Sequence, residues 1–524
     1  MHPIRHASVV AALAFAGFAA AGTAPVSTPA TERKLSADPF IWLEEVEGER
    51  ALAWAREQNA RSLAELQGDP RFARFEADAR RILEAKDRIA DPVLLGGVVY
   101  NFWQDDVHVR GLLRRADWQS YAAGEPKWET VLDVDALAAK DGKPWVTGMP
   151  DCLPPEYRRC LVSLSNGGKD ARIVREFDVV AKEFVAGGFE LPEAKHGVEW
   201  VDRDTLLVAT DWGPGTLTES GYPYVVKRLK RGQALADAVE LFRGQPKDVG
   251  VFPASYLDRD GTEVLVLVRA ETFFESTLHV VDGERLVQLP LPRRADLQGV
   301  WSGQLIASLN EDWTVGGRTY ASGTVVSFPL AAFVEAGKPD VAVVYAPGPR
   351  ESFQQFDASR SAAYLVVAEN VVTRAYRYGF RDGKWVRLGD VPLPPRSQIT
   401  LGSIRADDDR AFLYSEGFTT PRSLYVSDGT GAPRRLDEMP ARFDASRHVV
   451  DQFEATSKDG TKVPYFVVRP KDLKLDGNAP TLLYAYGGFQ VTMPPAYSGV
   501  LGKLWLEDGG VYVLANIRGG GEFG

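Results

Sequence analysis

Two glycine-rich strings near the end of this chain have the residue types needed to receive a reacting carbonyl group. Tyr484-Ala485-Tyr486-Gly487-Gly488-Phe489 closes an apolar run that starts at Thr481, and Ala515-Asn516-Ile517-Arg518-Gly519-Gly520-Gly521-Glu522-Phe523-Gly524 closes another that starts at Val511. Glycine lets the backbone approach a substrate oxygen closely. A glycine pair just after the third strand of an α/β-hydrolase sheet is where such folds build an oxyanion hole for acyl transfer. The same pair also serves as a tight turn with no chemical task. On residue chemistry alone both readings stand.

Acyl transfer further requires a nucleophile, a base and an orienting acid. In this type of sheet the nucleophile is the serine of Gly-x-Ser-x-Gly, after the fifth strand. The 524 residues contain no such string, and no histidine follows His448. The expectation is a hydrolase domain incomplete in this chain, with the Ser-Asp-His triad outside it and no activity from the chain alone.

Other strings imitate sites. Ser165-Asn166-Gly167-Gly168 resembles half a nucleophile turn, but Ser163 stands where the first glycine belongs. Gly519-x-Gly521-x-x-Gly524 matches a dinucleotide-binding fingerprint, yet Asn516-Ile517-Arg518 separates it from the strand and no ribose-binding acid follows. Asp258-Arg259-Asp260-Gly261 begins like a calcium loop and lacks the rest of the ligand series. His108, His196, His279 and His448 are dispersed, which gives a zinc site no basis. No cofactor or metal is expected.

The elements that must position the two glycine strings begin after residue 445. Val449 to Thr456 and Val463 to Val468 read as strands around a Lys458-Asp459-Gly460 turn. Thr481 to Tyr486 is apolar without interruption, as a buried parallel strand should be. Pro495 to Glu507 reads as a helix and Val511 to Ala515 as a fourth strand, which the end of the sheet would leave with an open edge. A hairpin followed by strand, helix and strand is how an α/β-hydrolase sheet begins.

Upstream, Asp38-Pro39 opens a helical pattern, with aspartate suited to the N-cap and proline to the first turn. Leu52, Trp54, Leu63 and Leu66 continue it, and Arg71 to Ala85 forms a second helix. From about residue 86 the period changes from helical to alternating, in short strands with almost no helix. Hairpins centre near Gly124, Gly168, Gly232, Gly283, Gly383 and Gly429, several on Asp-Gly, the pair that favours tight hairpins. The step is about 50 residues, and Val326 to Val341 fills the missing position. Seven such units of four strands describe a seven-bladed β-propeller, preferred over a pair of β-sandwiches because the step is regular. The predicted organisation is N-terminal helices at 36–85, a propeller at 86–440 and the start of an α/β-hydrolase domain at 445–524.

Residues 1–22 read as a cleavable export signal. Arg5 precedes an uncharged run of small and apolar residues from Ala7 to Gly22, shorter than the roughly 20 residues that span a bilayer, and small residues follow. The mature protein is expected to be periplasmic or secreted, without a membrane segment. Export places Cys152 and Cys160, the two cysteines of the chain, in an oxidising compartment. A turn through Pro154-Pro155 favours a disulfide between them over two separate thiols. The formal net charge of −10, with no basic stripe, argues against nucleic acid as a partner.

These strings together resemble the prolyl oligopeptidase family of serine peptidases. The resemblance rests on Asp38-Pro39-Phe40-Ile41-Trp42-Leu43-Glu44 with Trp54 and Gln58-Asn59, on Tyr486-Gly487-Gly488-Phe489 with Pro495 and Tyr497, and on Ala515 to Gly524. It implies a seven-bladed propeller inserted in an α/β-hydrolase domain assembled from both chain ends. It implies that Tyr486 donates its hydroxyl to the oxyanion and that Phe489 lines a pocket for a proline ring. Related oligopeptidases that cut after basic residues tend to have serine and tyrosine in place of Gly488 and Phe489. The implied activity is hydrolysis of short peptides after proline by a monomer, with the propeller restricting access. The alternative is a catalytically dead propeller that binds peptides.

Overall fold

The computed structural model describes residues 38–429 and 431–523. The expected export signal lies outside the described residues. Within them, no helix is long and apolar enough to cross a membrane.

Seven antiparallel sheets follow one another along the chain, at 93–133, 145–194, 197–243, 250–288, 295–345, 351–390 and 398–438. They are called blades one to seven below. Each is a meander of four strands, except that blade two carries six, two of them short strands on the Arg159–Asn166 strand. The first strands of blades three to seven touch in succession, that of blade seven touches that of blade one, and apolar clusters join blade two to blades one and three. This is a closed seven-bladed β-propeller.

The core of the ring is divided among its seams. One apolar cluster joins each pair of consecutive blades, such as Val266, Leu278, Val280, Leu305, Val326 and Phe328 between blades four and five. A blade therefore buries both faces, and its second strand reads as a continuous apolar run: Leu206, Leu207, Val208 and Ala209 are all fully buried. That is why alternation is weak in these strands although the sheets are antiparallel.

The expected hairpin step is broken at two positions by short helices, and a third short helix links two blades. Trp118–Ala122 replaces the hairpin at Gly124, and Asp117 caps it by accepting from the Ser120 backbone N–H. Val134–Asp141 joins blade one to blade two. Leu330–Ala336 replaces the hairpin expected at Val326 to Val341, so that position holds strand, helix and strand. Where Asp-Gly does form the turn, the backbone needs it: at Asp382-Gly383 the φ angles are 50° and 73°, the left-handed pair of a tight hairpin.

The two chain ends meet in a second unit. Helix α1 (Glu49–Gln67) and helix α2 (Phe72–Leu83) follow a short 3-10 turn at Ile41–Glu44, where Asp38 accepts from the Phe40 N–H. Helix α2 packs on the helical segment at Gly499–Leu501 and Gly502–Leu506, which is shorter than expected from Pro495 to Glu507. Arg74 pairs with Asp508 at 2.6 Å. The sheet of this unit has four strands in the order His448–Thr456, Lys462–Pro470, Val511–Ala515, Thr481–Ala485. The first two form the expected hairpin, and the last two are parallel.

Two expectations are corrected here. Val511–Ala515 is an interior strand, paired on both sides, and the sheet edge is Thr481–Ala485. That strand is parallel as expected, yet all five of its residues are exposed. Leu483 is 66% exposed, because no described element packs over this strand.

Candidate active site

Parallel pairing brings the two glycine strings together. The strands ending at Ala485 and Ala515 are in register, so the chain leaves both at the same end of the sheet. The loops that follow pack backbone against backbone. A Cβ on Gly519 would lie 2.6 Å from the Gly487 carbonyl oxygen, and one on Gly521 would lie 2.4 Å from that of Gln490. A Cβ on Gly488 would meet the Tyr486 hydroxyl at 2.9 Å.

These distances decide between the two readings of the glycine pair. Gly487 and Gly488 do not supply left-handed backbone. The left-handed residues are Phe489 and Gln490, at φ 55° and 57°, where a side chain is disfavoured. The glycines are required for close approach, and the Tyr486 phenol folds over the gap that Gly488 leaves. Tyr486 and Phe489 therefore project from one compact loop, both exposed, the latter by 59%.

A buried carboxylate braces both loops, and sequence reasoning passed over it. Glu522 is 3% exposed; its Oε1 accepts from the Met493 N–H and from Asn516 Nδ2, each at 3.0 Å. Asn516 Nδ2 also donates to the Met493 carbonyl at 2.8 Å. The signal was a glutamate enclosed by glycines and apolar residues, where a solvated acid is out of place. Arg518 anchors the second loop by donating to Asp459 at 2.5 Å, and this bond holds the Asp459 carboxyl down to about 2. Tyr497 accepts from the Arg442 N–H at 2.7 Å and stacks on Phe443 at 5.4 Å.

The propeller closes over this loop pair. Ser352 on the first strand of blade six donates to the Glu522 carbonyl at 3.0 Å, and Arg350 pairs with Glu454 at 2.5 Å. Val371 and Phe418 of blades six and seven share an apolar cluster with Phe466, Val468, Leu506 and Leu514 of the sheet unit. On the side of blade four, Phe273 meets Phe489 with ring centroids 5.0 Å apart.

The remaining motif residues have structural tasks. Ser165 Oγ donates to the Lys169 carbonyl at 2.6 Å within a blade hairpin. The Asp258 carboxylate accepts from the backbone N–H groups of Arg259, Ser302 and Gly303, tying blade four to blade five. His448 is buried with its ring nitrogens 3.2 and 3.0 Å from the Asp444 and Leu506 carbonyls. Cys152 and Cys160 are joined as a disulfide.

A propeller set over an α/β-hydrolase sheet, with paired glycine loops at the sheet end facing it, is the architecture of a two-domain peptidase. Residues 23–436 match the prolyl oligopeptidase N-terminal β-propeller domain. The chain belongs to the prolyl oligopeptidase family. It is 46% identical over 511 residues to an uncharacterized peptidase of Sinorhizobium fredii, covering 96% of this chain and 70% of that relative. It is 24% identical to the prolyl endopeptidase of Elizabethkingia meningoseptica, covering 98% of this chain and 72% of that one. The structure of a post-proline cleaving enzyme from Rickettsia typhi superposes with a TM-score of 0.84 at 30% identity, over 92% of this chain and 72% of that one. Oligopeptidase B from Leishmania major has a TM-score of 0.72 at 18% identity, a likeness of fold.

Proposed function

We propose that this chain carries the propeller and the first part of the catalytic domain of an exported serine peptidase that hydrolyses short peptides on the C-terminal side of proline. The observation that carries the reading is the loop at Tyr486 to Phe489. It holds a phenol and an aromatic ring on one turn at the end of a parallel strand, and the ring meets Phe273 of the propeller. The phenol suits an oxyanion that develops as a serine attacks the carbonyl. The ring suits the flat apolar face of a proline. The names of the Rickettsia typhi and Elizabethkingia proteins support the post-proline preference.

In this reading serine attack forms an acyl-enzyme that water then hydrolyses, and no metal or cofactor takes part. Residues 1–524 contain no Gly-x-Ser-x-Gly string, so the nucleophile, its base and the orienting acid are assigned to no residue of this sequence. The enzyme works as a monomer, and the propeller limits substrates to small peptides.

The test is labelling by a fluorophosphonate, which reports an activated serine, together with turnover of a Gly-Pro reporter peptide. The 524-residue chain should show neither. The chain extended by the region that follows it in its reading frame should show both. Labelling of the 524-residue chain would place an active serine within these residues and overturn the assignment. An extended chain that binds proline peptides without labelling would make the protein a binding module.

A further inference from the structure

A propeller must hold its last blade to its first. Every other seam is tethered by the chain passing from one blade to the next. Here blade one uses only residues 93–133 and blade seven only 398–438, so no strand is shared across the closing seam. That seam has its own apolar cluster, with Leu94, Val99, Phe412 and Leu424. Its polar links include the Leu94 N–H to Ser403 Oγ at 3.0 Å and the Tyr414 hydroxyl to Asp91 at 2.8 Å.

A loop of blade two reaches past blade one to the same seam. Tyr157 lies between Cys152 and Cys160 and is 2% exposed. Its ring packs on blade one, where a Cβ on Gly96 would lie 3.2 Å from Tyr157 Cδ2. Its hydroxyl donates to Asp407 of blade seven and accepts from Arg405 Nη2 at 2.5 Å. The Arg405 guanidinium also lies 4.6 Å from the Tyr157 ring centroid. One side chain thus touches blades one and seven from blade two.

The loop is built to present that side chain. Cys152 and Cys160 face each other on paired strands and are joined covalently. The Tyr157 N–H donates to the Leu153 carbonyl at 2.9 Å, and Tyr157 itself has φ 50°. A non-glycine residue stays in that region only where its surroundings over-determine it. The staple removes freedom that the loop would otherwise lose on reaching blade seven, so the contact forms at lower entropic cost.

We propose that the stapled loop 152–160 is the clasp that closes the propeller ring and fixes the aperture of its axial cavity. Cys152, Pro154 and Arg405 line that cavity together with Tyr256, Gly299 and Phe356 of the other blades. The cavity wall lies toward the face away from the sheet domain. The strand Glu351–Ala358 runs from Ser352, bonded to Glu522, to Asp357 and Ala358 in the cavity wall. This inference is independent of the proposed peptidase activity.

The test is hydrogen exchange on the 524-residue chain, comparing Tyr157→Phe, Cys152→Ser/Cys160→Ser and their combination with the parent. Tyr157→Phe keeps the ring and removes only the hydroxyl contacts. Amides in 93–100 and 398–414 should exchange at least tenfold faster in either variant, while those in 250–309 keep the parent rate. Once the staple is gone, Tyr157→Phe should add less than a further twofold, because the two act as a unit. Unchanged exchange at the closing seam in Tyr157→Phe would overturn the clasp. So would equal acceleration in all blades, which is general destabilisation, or fully additive effects, which would uncouple staple from contact.

Discussion

The ring of Phe273 lies 5.0 Å from that of Phe489, and this pair joins blade four of the propeller to the loop that carries the candidate proline pocket. Phe273 sits on a braced turn. Thr272 Oγ1 accepts from the Glu275 N–H, and Glu271 pairs with Arg293 at 2.6 Å. The attachment on blades six and seven is far broader, with an apolar cluster and an ion pair. Aromatic pairs are worth about 0.5–1.5 kcal/mol beyond their buried area. Phe273→Ala should therefore expose the 486–491 loop while the cluster around Phe418 and Phe466 stays protected. Limited proteolysis with mass mapping reads this, and cleavage should rise first within 486–491. Equal cleavage in the parent and the variant would show that the ring contact holds nothing closed.

On the proposed role of Tyr486 as oxyanion donor, Tyr486→Phe in the extended enzyme removes that donor and keeps the ring. Loss of one such donor typically lowers turnover by about 10²–10³. The donor acts on charge that develops in the transition state, so kcat should fall far more than KM rises. Steady-state kinetics on a Gly-Pro reporter checks this, and unchanged kcat would move the oxyanion hole elsewhere.

Gly488→Ala should damage the same loop by a different route. The added methyl meets the Tyr486 hydroxyl at 2.9 Å, so the phenol must swing away. The expected result in the extended enzyme is a fall in kcat comparable with Tyr486→Phe. Combining the two should cost little more than either alone, since both remove one donor.

Burial pushes the Asp357 carboxyl up to about 7, against the opposing Ala358 N–H at 2.8 Å and the Arg405 charge. An unfolded aspartate ionises near 3.9. Below about pH 4 both states hold the proton and nothing is lost. Between about pH 4 and 7 the unfolded chain ionises while the folded one keeps its proton, so stability falls as pH rises. Asp357→Asn should match the parent at pH 4 and exceed it at pH 8, by at most about 4 kcal/mol. Glu263 and Asp296 are also raised by burial, so the difference between the two proteins isolates Asp357. Thermal melts at both pH values decide it, and parallel curves would contradict the shift.

The exposed edge strand bears on solubility. Leu482, Leu483 and Tyr484 are 44, 66 and 46% exposed on a strand with one unpaired side. Such edges template association. The 524-residue chain should self-associate at micromolar concentration, whereas residues 86–440 should remain monomeric. Light scattering on both separates the outcomes. A monomeric 524-residue chain with one cooperative melt would contradict this expectation.

Much of this protein is written in short stretches of its sequence. The Asp382-Gly383 turn, the apolar second strands and the step of about 50 residues each depend on neighbours along the chain, and together they specify the propeller. Tyr486 to Phe489 and Ala515 to Gly524 mark the family because loops packed this closely tolerate few other residues. The short helices escaped notice because five to eight residues carry too little periodicity to separate a helix from a hairpin. The open edge was assigned to Val511–Ala515 because strand order in a sheet is not strand order in the chain. The partners of Tyr157 and Phe273 were invisible for a related reason: Asp407 is 250 residues from Tyr157, and Phe489 lies on another domain. No local pattern encodes such meetings; ring closure and domain docking create them, so only the tertiary structure decides which side chains meet at the closing seam and between propeller and sheet.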